Sequence, residues 1–200
     1  AVVCVILLFT CIRSNGYTGF VQTYVKLDVK LDADIIAPDG DLSIEKLQTV
    51  NYAALVKQAL KDTFPEITSR SDRRDLYNLV SSNSTYTLRD LVLSDPSLIG
   101  TTQTLWFISS DDVDMLNKDV FDRSAPESTR PITDKEIKWV EKLEREGRIE
   151  KRCNTHFFTA GDSREPEQAG IRGALFGSAL TMVVTLALSF PLGVMAAIYL

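Results

Sequence analysis

Cys153 and His156 form a C-x-x-H, half of the ligand set that a tetrahedral zinc site takes from thiolates and imidazoles. His156 is the only histidine of the chain, and no second pair of this spacing completes the set. The expected reading is alternate faces of one strand, with no metal. Asp111, Asp112 and Asp114 bring three carboxylates together. A calcium loop needs further oxygen ligands and a glycine turn in register. Acids near a helix N-terminus are stabilising, so a solvated, helix-starting loop is expected instead. Asn83-Ser84-Thr85 matches a glycosylation sequon, a pattern short enough to arise by chance. Neither a G-x-x-x-x-G-K-[ST] phosphate loop nor a G-x-S-x-G nucleophile elbow occurs. No nucleophile–base pair, cofactor site or metal site is therefore expected, and the chain reads as non-enzymatic.

The residues that do form a pattern are small ones. Gly173 and Gly177 make a G-x-x-x-G, and Ser178 and Thr181 extend it, followed by Thr185 and Ser189. Small residues let helices approach closely in lipid, where packing drives association. These positions are expected to face other helices of a bundle, with a bend at Pro191 and Gly193. The surrounding sequence supports a membrane setting. All 22 Lys and Arg and all 27 Asp and Glu lie between Arg13 and Arg172. The run from Gly173 to Leu200 is uncharged and longer than the roughly 18 residues that suffice to span a bilayer core. Residues 1–12 are also uncharged and apolar, and read as the end of a first transmembrane helix. They lack the basic start and small-residue cleavage site of a secretory signal. The expected organisation is residues 1–12 as membrane helix, 13–165 as a soluble α+β domain, and 166–200 as the start of a membrane core. The sequence reads as a piece of a longer protein.

Within the soluble block, Val25, Leu27, Val29 and Leu31 alternate with Lys26, Asp28, Lys30 and Asp32, the signature of a half-buried strand. A turn is expected at Pro38–Asp41. One helical stretch is expected from Ser43 to Pro65, and a short helix from Asp75 to Val80. Leu88–Leu93 is a short mixed segment, and Thr101–Ile108 a strand. Ser109–Asp112 caps a helix through Leu116. Thr133 and Glu136 form a capping box opening a helix that ends at Gly147. Ile149, Cys153, Thr155 and Phe157 alternate as one further strand. Without a βαβ rhythm the class is α+β.

Net charge −5 gives no basic footprint, so a nucleic-acid partner is not expected. Cys4 and Cys11 lie in the first apolar run, which leaves Cys153 without an internal partner in the block. The loop is too long for the positive-inside rule to orient it.

The C-terminal segment from Phe157, FFTAGDSREPEQAGIRGALFGSALTMVVTLALSFPLGVMAAIYL, resembles the entry to the membrane core of PstA-type permease subunits of bacterial phosphate ABC transporters. Its G-S-x-L-T-M-x-V-T-L-x-L-S-x-P-L-G-V-x-A-A-I-Y-L, Gly177 to Leu200, carries most of that likeness. LRDLVLSDPSLIG (Leu88–Gly100) and SSDDVDMLNKD (Ser109–Asp119) resemble an extra domain that some members carry between their first two membrane helices. The resemblance implies a multi-pass subunit of the bacterial inner membrane, with residues 13–165 in the periplasm and an all-α ABC-permease core beginning at the C-terminal helix. It implies a homologous second permease subunit, a cytoplasmic ATPase dimer and a periplasmic phosphate-binding protein as partners, besides membrane lipid. The function implied is part of the path, and of the periplasmic docking surface, of an ATP-driven inorganic phosphate importer. From the residues alone, a membrane-anchored sensory or signalling ectodomain is the alternative.

Overall fold

The alternation between Val25 and Leu31 becomes the centre of a ten-residue strand, β1 (Val21–Lys30), in the computed structural model. The structure describes residues 6, 9–10, 16–161, 163 and 169–199. The expected membrane helix at 1–12 falls on a stretch of which 6, 9 and 10 alone are described. Strands β2 (Thr102–Ile108) and β3 (Ile149–Cys153) flank β1 on either side, both antiparallel, in the order β2-β1-β3. Val25, Leu27 and Val29 are fully buried, with Phe107 opposite Val25. Tyr24, Lys26 and Asp28 occupy the other face, as period-2 geometry requires.

The long connection from β1 to β2 carries the helices that cover the inner face. They are α1 (Ala33–Ile36), α2 (Ile44–Thr49), α3 (Tyr52–Thr63), α4 (Arg70–Tyr77) and α5 (Ser84–Ser94). α3 buries Tyr52, Leu55, Val56, Ala59 and Leu60 at the predicted 3–4 spacing. α6 (Asp111–Asn117) and α7 (Asp134–Arg145) follow β2. The capping box at Thr133 forms as expected: Glu136 N–H donates to Thr133 Oγ1, and Thr133 N–H donates to Glu136 Oε2 at 2.8 Å. α7 terminates at Gly147, whose φ of 66° lies in the left-handed region that glycine adopts without a Cβ clash. Lys142 of α7 reaches Glu66 at 2.9 Å and lies over the Phe64 ring, fastening α7 to the end of α3.

Several expected boundaries differ. The single helix from Ser43 to Pro65 is two, because Val50 and Asn51 leave helical geometry (ψ 143° and 73°). A β-branched residue followed by Asn favours such a break. The Tyr52 hydroxyl donates to the Leu47 carbonyl across it at 2.8 Å. The helix expected at Asp75–Val80 lies earlier, at Arg70–Tyr77. Leu88–Leu93 belongs to the full helix α5. The strand expected through Phe157 stops at Cys153. Asn154 Oδ1 accepts from Phe157 N–H at 2.9 Å and caps a short helix, α8 (Thr155–Thr159).

The chain divides into two compact units, Ala1–Cys153 and Asn154–Leu200. The first is the α+β domain. The second holds α8 and α9 (Arg172–Tyr199), which is long and apolar enough to cross a membrane. Its 28 residues correspond to about 42 Å. The helix continues through Pro191, where a bend was expected, although proline supplies no N–H to the Ala187 carbonyl.

Candidate functional site

The first strand of the domain and its last are neighbours. Val21, where β1 begins, is the register partner of Cys153, where β3 ends. Opposed residues of an antiparallel pair lie about 5 Å apart, so the domain is entered and left at one point of its sheet. We call this the near end. Lys30 and Thr102, also register partners, mark the far end, about 30 Å along β1.

The near end is held by a carboxylate. β2 stops pairing at Ile108, which leaves the Thr23 N–H facing the vacated ladder position. Asp114 Oδ1 accepts that N–H at 2.8 Å, and Ser109 N–H donates to the Thr23 carbonyl at 3.1 Å. Asn117 Nδ2 donates to Thr23 Oγ1 at 3.2 Å. Asp114 is 5% exposed, and its second oxygen pairs with Lys118 one turn on. The acidic cluster expected to be a solvated helix start is therefore divided. Asp111 and Asp112 sit in the first turn of α6, while Asp114 turns inward and extends the sheet. The i,i+4 Asp–Lys spacing was visible in the sequence. The ladder position that the carboxylate fills was not, because it depends on where β2 ends.

Beside this anchor lies an open cavity of about 560 Å³. Tyr17, Phe20 and Val21 line it from the approach to β1, and Lys151, Arg152 and Cys153 from the end of β3, with Lys118 alongside. Tyr17 and Phe20 are exposed. Cys153 is an exposed free thiol. His156 lies in α8 rather than on the strand, so the C-x-x-H does not alternate along one strand as expected. Among the described residues, no group of three or more His, Cys, Asp or Glu is placed to hold a metal ion.

The outer sheet face carries a stack of cations and rings. The Arg152 guanidinium lies 4.2 Å from the Trp106 ring centroid and 5.7 Å from that of Tyr24, and Lys26 Nζ lies 5.8 Å from Trp106. Arg152 is also paired with Glu150 at 2.8 Å. Burial pushes the Tyr24 hydroxyl above its ordinary pKa, and the charge of Arg152 opposes that rise. Farther along, the Thr104 hydroxyl donates to Asp28 Oδ1 at 2.6 Å and Arg148 Nη2 to Oδ2 at 2.9 Å. The Thr104 hydroxyl above all holds the Asp28 carboxyl below the usual carboxylate range; burial opposes it, and the Arg148 guanidinium adds to the lowering. These contacts fix the face in position, and none presents a reactive group to a base.

The small residues lie on α9. Gly173, Gly177 and Thr181 recur every fourth position, and Ser178 adjoins them. The Thr181 hydroxyl donates to the Gly177 carbonyl at 2.8 Å, Thr185 to Thr181 at 2.8 Å, and Ser178 to Leu175 at 3.1 Å. Each hydroxyl is thus satisfied within its own helix. A Cβ added at Gly173 or Gly177 meets no atom within 4 Å. The sequon residue Ser84 is buried at the start of α5.

A family model described as a domain of unknown function, DUF3333, matches residues 1–127. No curated protein matches the chain, and neither does any solved structure.

Proposed function

We propose that this chain, which belongs to the DUF3333 family, is a membrane subunit of an ATP-driven inorganic phosphate importer. In this reading it is a PstA-type permease of the bacterial inner membrane, with α9 opening the all-α membrane core. The α+β domain is an insertion on the periplasmic side between two membrane helices and contributes to the docking surface for a phosphate-binding protein. A second, homologous permease completes the path. A cytoplasmic ATPase dimer supplies the energy, so the chain itself catalyses nothing.

The observation that supports this reading is the pairing of Val21 with Cys153. A domain whose ends are adjacent can be inserted into a loop between two helices without forcing them apart. It is followed in the chain by α9, whose sequence carries the permease likeness. The small-residue stripe agrees with a helix that packs against others, since its hydroxyls need no partner and its glycines leave room for one.

The test is phosphate uptake by cells lacking the protein, and by cells whose protein has residues 21–153 replaced with a short linker. Loss of the whole protein should abolish high-affinity uptake. Loss of the domain should lower ATPase stimulation by the phosphate-binding protein while the subunits still assemble. Normal uptake with altered gene expression would instead identify a sensory ectodomain.

A further inference from the structure

We propose that the near end of the sheet rests on the bilayer surface and that its cavity takes the headgroups of anionic phospholipid. This rests on the membrane reading of the two apolar runs, not on phosphate transport. Chain length gives the first argument. Residues 1–12 are uncharged, and the chain from Ile12 to Tyr17 spans at most about 18 Å. The near end is thereby held close to the boundary of any bilayer that contains this run, while the far end lies about 30 Å farther along β1.

Chemistry gives the second. Tyr17 is 66% and Phe20 47% exposed at the mouth of the cavity. Aromatic side chains with an apolar body and exposed edge suit the headgroup level of a membrane. Of the three cations there, Lys118 is held by Asp114 and Arg152 by Glu150 and Trp106. Lys151, exposed, has no ion-pair partner among the described residues. Among the described residues lining the cavity it is the uncompensated positive charge, on an acidic chain, and a single basic residue near an anionic leaflet strengthens association about fivefold. A protein partner would have to find the cavity by diffusion, whereas lipid is presented to it by the tether.

Cys153 supplies the probe. With Cys4, Cys11 and any cysteine outside residues 1–200 replaced by Ser, the full-length protein keeps one thiol, in the cavity, which is labelled with a fluorophore before the protein is inserted into nanodiscs. Lipids with a nitroxide on the headgroup then quench it. A far-end control carries the label at Thr102→Cys with Cys153→Ser. Quenching should be several-fold stronger at Cys153 than at position 102, and stronger with phosphatidylglycerol than with phosphatidylcholine alone. Lys151→Glu, an exposed change, should remove most of the phosphatidylglycerol-dependent part, as should high salt. Equal quenching at the two ends, or quenching indifferent to Lys151→Glu, would overturn the proposal while leaving the permease reading intact. Failure of the protein to enter discs at all would overturn both.

Discussion

Asp114 shows how one side chain takes over a structural position that the backbone leaves empty. Its carboxylate occupies the ladder site beyond the end of β2 and is neutralised by Lys118, with both side chains nearly buried. Breaking such a pair leaves a buried charge and a buried N–H without partners. Asp114→Ala should therefore cost about 3 kcal/mol, read as a lowered midpoint in urea, while Glu45→Ala at an exposed position of α2 should cost about 0.5 kcal/mol or less. Equal losses would mean that the anchor is dispensable. Asp28 makes a smaller, pH-dependent contribution. Its pKa is depressed in the folded state, so its stabilisation is present above the ordinary Asp value of about 3.9 and disappears as pH falls through the lower folded value. Asp28→Asn should cost the few tenths of a kcal/mol expected of a partly exposed pair at neutral pH, read as a slightly lower Tm, and the gap should close below about pH 4. Thermal melts across pH check this; a gap that widens in acid contradicts it. The sequence displayed both aspartates plainly. It concealed their roles because a carboxylate's partners here come from segments far along the chain: Thr23 for Asp114, Thr104 and Arg148 for Asp28.

Elements whose signals are local were the legible ones. The alternation in β1, the capping box of α7 and the apolar run of α9 each depend on residues within a few positions, and each formed where the pattern placed it. The errors arose where a competing local signal was weak. Val50-Asn51 interrupts what looks like one amphipathic helix, and Asn154 converts the end of an alternating segment into a capped turn of helix. α9 also offers a clean test of packing. A Cβ added at Gly177 meets no atom within 4 Å beyond the adjoining backbone of its own helix, so an overpacking penalty there would report a helix packed against α9 from outside the described residues. If the proposed permease function holds, Gly177→Leu should reduce co-purification of the second permease and phosphate uptake, at an overpacking cost of about 1–3 kcal/mol. Phe176→Leu, beside it, should do much less. Wild-type behaviour of both would place α9 against lipid alone and favour the sensory alternative.

At the scale of the molecule, the α+β class followed from the mixture of strands and helices, but the strand order did not. β1 sits in the middle because β2 returns to one side after five helices and β3 to the other after two more. Nothing in a period-2 pattern states which edge a later strand will join. That order is what brings Val21 and Cys153 together and makes the domain insertable. It has a consequence for autonomy. The core, from Val25 and Leu27 through Tyr52, Leu88 and Phe107 to Val140 and Leu143, lies within the first compact unit and draws on no residue of α9. All three strands of the sheet find their ladder partners within this unit, β1 pairing with both β2 and β3. Residues 16–153 alone should therefore be a soluble monomer that melts in one cooperative transition, with the same Tm in reducing and non-reducing buffer because Cys153 is its single thiol. Calorimetry with the van't Hoff comparison, run beside size-exclusion chromatography, provides the measurement. A broad, non-cooperative melt would mean that the sheet depends on the membrane segments for its integrity, and an aggregating monomer would mean that the outer face around Trp106 and Tyr24 is covered in the intact protein.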